Sequence, residues 1–284
     1  MTSKGDAVAA SPPCQPTVAK VKLACMQQHR DARHHHDGEA REHGIRGARD
    51  AARDVVGDAV DAVVERASEA VDAVKPKLRG WLHAGVFPLA LVAGVVLVVL
   101  APTTTARMAT GIFAATAVLL FGVSALYHRG HWRPRTVGTL KRLDHANIFL
   151  IIAGTYTPFG VLLLHDHGGR TLLWIVWTGA LLGVGFRVLW IGAPRWLYTP
   201  VYIALGWVAA FYVPDILATG GVTVTTLLIA GGLLYSAGAV VYALKRPNPS
   251  PRWFGFHEVF HAFTLAAFVL HFTAVALVVQ SAAV

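Results

Sequence analysis

The stretch LHAGVFPLALVAGVVLVVLAP, residues 82–102, runs without a single Asp, Glu, Lys or Arg. At the α-helical rise of about 1.5 Å per residue it covers the roughly 30 Å of a bilayer's hydrocarbon core. Six further apolar stretches follow, at 109–128, 145–164, 172–192, 197–214, 223–244 and 257–280, separated by short segments carrying Pro, Gly or charge. The fifth is the weakest, short and bounded by Pro200 and Pro214. The expected fold is an all-α membrane protein, a seven-transmembrane helix bundle occupying residues 76–284.

Composition agrees with this reading. Hydrophobic residues make up 55% of the 284 and charged residues only 14%, too apolar a mixture for an ordinary soluble domain. Twelve of the sixteen acids precede residue 81, and only Asp144, Asp166, Asp215 and Glu258 follow it, so the chain divides near Gly80. Residues 1–38 lack apolar periodicity and are expected to be a disordered tail, in which His34, His35 and His36 are either a weak metal tract or polar filler. Over 39–75, Val56, Val60, Val63, Ala67, Ala70 and Val74 recur at helical spacing among charges, which predicts an amphipathic helix ended by Pro76. No signal peptide is expected ahead of it, because the first apolar run long enough for targeting starts at Trp81. Cys14 and Cys25 stand alone in the tail, which gives no disulfide framework and no zinc-finger pattern and suits a reducing cytoplasm.

Lys and Arg set the orientation, since positive loops stay inside. Lys75, Lys77 and Arg79 precede the first span; Arg129, Arg133, Arg135, Lys141 and Arg142 fill the second loop; Arg195 lies in the fourth and Lys245, Arg246 and Arg252 in the sixth. The alternate loops hold only Arg107 and Arg170. The N-terminus is therefore expected in the cytoplasm and the C-terminus outside. The net charge of +9 is spread along these loops, so no nucleic-acid surface is expected and membrane lipids are the expected partners.

This orientation brings three polar motifs to one depth near the inner leaflet: SALYH at 124–128, LDHANIF at 143–149 and FHEVFH at 256–261. Ser124 and His128 are four residues apart, as are His257 and His261, so each pair shares a helix face. Two helices can thus offer three imidazoles to one point, and three histidines plus water is the ligand set of a catalytic zinc site. Plainer readings exist for each: His128 as an interfacial hydrogen-bonded residue, Asp144 as a helix cap, Ser124 bonding the carbonyl one turn back. The pair His257 and His261 is harder to account for that way, because polar groups inside a span are costly and usually partnered. His271, ten residues beyond His261, is about 15 Å deeper and out of reach of a shared metal. His165, Asp166 and His167 are adjacent and point apart, as in a solvated turn.

SALYH, RLDHANIFLIIAGTYTPF and HEVFHAFTLAAFVLHF together resemble the hemolysin III family, the bacterial branch of the progestin and adipoQ receptor family within the CREST superfamily, which also holds the alkaline ceramidases. The resemblance covers about residues 76–280. It implies a multi-pass protein of the bacterial inner membrane with an intramembrane zinc ion on His128, His257 and His261. Ser124 matches the family's serine and Asp144 its aspartate near the zinc, while Glu258 stands where adiponectin receptors carry a neutral amide. A site-2 type zinc protease also uses H-E-x-x-H, but it takes a further ligand from an Asp downstream, and no acid follows Glu258. The chemistry expected of such a site is hydrolysis of an amide or ester in a lipid-like substrate, with Asp144 handling a proton and Ser124 positioning water or an oxyanion. The alternatives are a non-enzymatic receptor or regulator of membrane lipid state with structural zinc, and the cytolysis that the family name implies. A transporter is disfavoured by the lack of an obvious inverted repeat or acid relay.

Overall fold

The computed structural model describes residues 76–282 except 191, together with scattered positions between 47 and 63. The chain forms two compact units, Met1–Ala73 and Val74–Val284. In the first, the described positions are helical, with Val55, Val56, Val60 and Val63 exposed. The tail over 1–38, with Cys14, Cys25 and the three adjacent histidines, lies outside the described residues, as does most of the stretch expected as an amphipathic helix.

The described residues of the second unit form seven α-helices: α1 (Trp81–Leu100), α2 (Thr104–Arg129), α3 (Pro134–Pro158), α4 (Gly169–Leu189), α5 (Arg195–Gly206), α6 (Val213–Leu244) and α7 (Phe256–Ser281). Neighbours in sequence pack as neighbours in space from α1 to α4, and α7 lies against α6, α1 and α3, which closes the bundle. Phe113, Phe121, Phe149 and Phe268 fill the interior. Leu89, Val92, Val99, Leu182 and Phe211 are exposed on the outside, the arrangement expected when the solvent for the outer face is lipid. Trp81, Trp132, Trp190 and Trp253 are also exposed, at or beyond helix ends, where amphipathic rings meet a membrane interface.

Among the described residues, six helical runs are long and apolar enough to cross a membrane. The fifth and sixth expected spans form one of them, Trp196–Leu244, 49 residues long. Pro214 does not end the fifth span. It sits in the first turn of α6, where a missing N–H breaks no intrahelical bond, and a 3-10 segment, Trp207–Tyr212, joins α5 to α6. The break comes later, at Gly221, with φ 73° and ψ 177° inside α6. The third helix also differs from expectation. It starts at Pro134, well ahead of the apolar stretch at 145, because hydrophobicity marks where lipid begins and places no limit on where backbone bonding begins. Asp144 is therefore an interior helical residue, and its reading as a cap falls away.

Candidate metal centre

The start of α1 is pressed against the end of α2. Lys77 and Leu78 donate their backbone N–H groups to the carbonyls of Arg252 and Trp253, both at 3.1 Å, which fixes the entry of α1 beside the entry of α7. Gly80 then turns the chain with φ 78°, and a Cβ there would stand 2.6 Å from the Cβ of His128. Both the positive φ and the close approach require glycine. The result is that the last turn of α2 and the first turns of α1 and α7 meet at one end of the bundle.

Three of the expected site residues converge there. One ring nitrogen from each of His128, His257 and His261 lies within 4.8 Å of the others, and all three side chains are buried. The Nε2 atoms of His257 and His128 are 3.1 Å apart. Two imidazole nitrogens bound at about 2.0–2.1 Å to one tetrahedral zinc stand roughly 3.3 Å apart, so this donor set fits the ion in type and in spacing. The i, i+4 spacing on α7 supplies two of these rings and α2 the third.

Asp144 arrives from α3. Its Oδ2 is 3.9 Å from His128 Nε2 and 3.6 Å from His145 Nδ1. Ser124 is buried one turn before His128, and its Oγ makes no bond back to its own helix, so the reading in which it caps the carbonyl one turn back does not hold. The hydroxyl has no hydrogen-bond partner among the described residues. Asp144 and Ser124 both line a cavity of about 170 Å³ that extends from the histidine cluster between the helices. At about 10–15 Å³ per water by the same measure, that is room for roughly ten waters or for a length of hydrocarbon chain.

Other residues at the site went unread in the sequence. His83 in α1 is only 2% exposed and stacks on His261, centroids 3.8 Å apart and planes 13° from parallel, with neither ring nitrogen bonded among the described residues. Its only sequence signal is a polar residue in an otherwise apolar span. His145, adjacent to Asp144, holds Tyr242 through Nε2 at 3.1 Å and gives its Nδ1 proton to the Lys141 carbonyl at 2.8 Å. Arg187, 1% exposed near the end of α4, lies over the Tyr198 ring at 4.3 Å.

Glu258 has a different task from that of a zincin glutamate. It is fully buried, accepts from the Arg79 Nε in an ion pair, and accepts the Gly255 N–H at 2.8 Å on its other oxygen. Glu258 thereby offsets the charge of the Arg79 cation at the entry of α7. The turn after α3 is solvated as expected, but its residues do not point apart: His165 and Asp166 are exposed and paired with each other at 2.6 Å, ahead of Gly168 at φ 82°.

A sequence model of the family described as haemolysin-III related matches residues 71–272. The chain belongs to this family. Among haemolysin-III-related proteins it is similar to Hemolysin-3 of Bacillus cereus, 32% identical over 170 residues, which cover 60% of this chain and 74% of that one. The Hemolysin-3 homolog of Bacillus subtilis (strain 168) is 35% identical over 154 residues, 54% of this chain and 69% of its own. More distantly, human Monocyte to macrophage differentiation factor is 24% identical over 201 residues, 69% of this chain and 80% of that protein. The family resemblance carried by the three motifs is thus borne out, and with it a multi-pass membrane protein.

Proposed function

We propose that this haemolysin-III-related chain is a zinc protein of the bacterial inner membrane that hydrolyses an amide or ester bond in a lipid-like substrate. The observation that carries the proposal is the joint placement of three buried imidazoles and the Asp144 carboxylate at the mouth of a largely apolar cavity. His128, His257 and His261 would hold the ion, which supplies Lewis acidity toward the scissile carbonyl and toward water. Asp144 Oδ2 accepts the proton of the attacking water and returns it to the leaving group. Ser124 Oγ, not engaged by its own helix, is the hydrogen-bonding group for the developing oxyanion. The apolar lining receives the acyl chain and keeps bulk water from the reacting centre.

The same proposal includes seven membrane crossings with the N-terminus inside. Drawn out straight, the 49 residues of Trp196–Leu244 would reach about 74 Å, more than twice a bilayer core, and the break at Gly221 supports two spans. Loop charge supports the direction.

Metal analysis of the purified chain should give about one zinc per molecule, reduced to background in His128→Ala, His257→Ala or His261→Ala. Asp144→Asn should retain zinc and lose fatty-acid release from N-acyl and ester lipids by about 10²–10⁴-fold. A zinc-loaded wild type that releases no fatty acid from either lipid class rejects the hydrolase, and the ion then serves to hold α2 and α7 together.

A further inference from the structure

The hydroxyls that line the cavity mostly satisfy themselves. Thr225 and Thr264 donate back to the carbonyls of Gly221 and Phe260 at 2.9 and 3.0 Å, and Ser236 accepts from Trp207 Nε1 at 2.9 Å while donating to Gly232 O at 2.8 Å. Apart from groups beside the metal cluster, Thr155 on α3 and Thr199 on α5, two lining side chains keep unspent hydrogen-bonding capacity: His271 on α7 and Tyr235 on α6. Their rings are 5.5 Å apart, and the His271 Nδ1 and Tyr235 hydroxyl are sheltered from solvent with no partner among the described residues.

The His271 ring is held in a defined state. Its Nε2 lies 3.2 Å from the Leu228 carbonyl, and because a carbonyl can only accept, Nε2 carries the proton and Nδ1 is a bare acceptor. Its seat is a notch in α6. A Cβ at Gly231 would come within 2.3 Å of the His271 ring, so any larger residue would expel it. The two rings, with centroids 5.5 Å apart, therefore offer one fixed acceptor and one phenolic donor. A carboxylate would face the Nδ1 lone pair with its own negative charge. A ketone would use the phenol and leave Nδ1 bare. A hydroxyl donates to Nδ1 and accepts from Tyr235, which satisfies both.

We propose that His271 and Tyr235 form a hydroxyl-binding subsite, so that the cavity takes an elongated amphiphile with two polar points. One is the reacting group at the histidine cluster; the other is a hydroxyl further along the chain. Ten residues of α7 separate His261 from His271, which sets the spacing at about 15 Å. Apolar side chains such as Ile152, Phe159 and Leu228 line the cavity and suit the hydrocarbon between. This inference rests on the metal reading above and adds the substrate class.

The test uses the zinc-loaded full chain in lipid nanodiscs, with dodecanohydroxamic acid and its ω-hydroxy derivative as calorimetric probes. The hydroxamate anchors at the metal, and the chain carries the hydroxyl toward His271. Wild type should bind the ω-hydroxy probe about tenfold more tightly, the worth of one well-made buried hydrogen bond. Tyr235→Phe and His271→Leu should each keep full zinc and the affinity for the plain probe while removing that preference. Tight but equal binding of both probes by wild type overturns the subsite alone, and is the result expected if a water merely bridges the pair. A preference that survives both substitutions also overturns it. Binding of neither probe to a metal-loaded chain overturns the reading of that metal as open to substrate, on which the subsite rests, so the two failures are told apart.

Discussion

Replacing His83 by phenylalanine separates its aromatic face from its ring nitrogens. The stack on His261 needs only an aromatic face, and neither ring nitrogen is bonded among the described residues, so the stack can be kept while both nitrogens are removed. His83→Phe should therefore keep zinc affinity near the wild-type value, and His83→Ala, which leaves the His261 ring unsupported, should weaken it by about 10–100-fold in a chelator competition. Glu258→Gln asks a similar question of the acid between the two α7 histidines. Loss of its charge strands the Arg79 cation, so thermal stability should fall by about 2 kcal/mol while lipid hydrolysis persists in the folded fraction. A general base would show the reverse: unchanged stability and turnover reduced by orders of magnitude. Of the three candidate ligand histidines, His257 and His261 were legible in the sequence because an i, i+4 pair of imidazoles inside an apolar span is costly unless partnered, and His128 because its motif falls at the same depth. Glu258 was not, because its partner is 179 residues away and nothing local distinguishes a buried ion pair from a catalytic acid. His83 was illegible for a related reason: it belongs to no spacing pattern, and only packing brings it to His261.

At the scale of elements, two glycines with similar φ make different predictions. Gly80 combines φ 78° with a wall, the His128 Cβ at 2.6 Å, so Gly80→Ala must displace the last turn of α2. Zinc content should fall with it. Gly221 has φ 73° and open space around it, so Gly221→Ala meets no atom and only backbone strain, about 1–3 kcal/mol. Its thermal midpoint should drop with zinc content unchanged, as read by metal analysis of the heated and unheated samples. The positions of the apolar stretches were readable to within a few residues for α1, α4 and α7, since burial in lipid is a property of composition. The connection after α5 was misread because proline breaks a helix only past its first turn, and Pro214 falls within it. Gly221, one glycine of an adjacent pair, gave no comparable warning in the sequence.

For the whole molecule, the charge bias across the loops makes orientation testable. Fusions of alkaline phosphatase should be active at the C-terminus and inactive after Lys141 or Arg246, with a fluorescent reporter at the N-terminus bright in the cytoplasm. A C-terminus that reports from the cytoplasm would overturn the seven-crossing orientation while leaving the packing of the three polar motifs untouched. The close approach of His128 to His257 also has a consequence for how the protein is made. The two residues are 129 positions apart, so at about 5–20 residues per second the ribosome completes α2 on the order of 10 s before α7 exists. During that interval the nascent site holds one imidazole of its three, with little grip on any ion. A chain cut short anywhere before α7 never acquires the three-histidine cluster, and under the proposed zinc reading an ion held there through purification would be a certificate that translation and insertion reached the last helix.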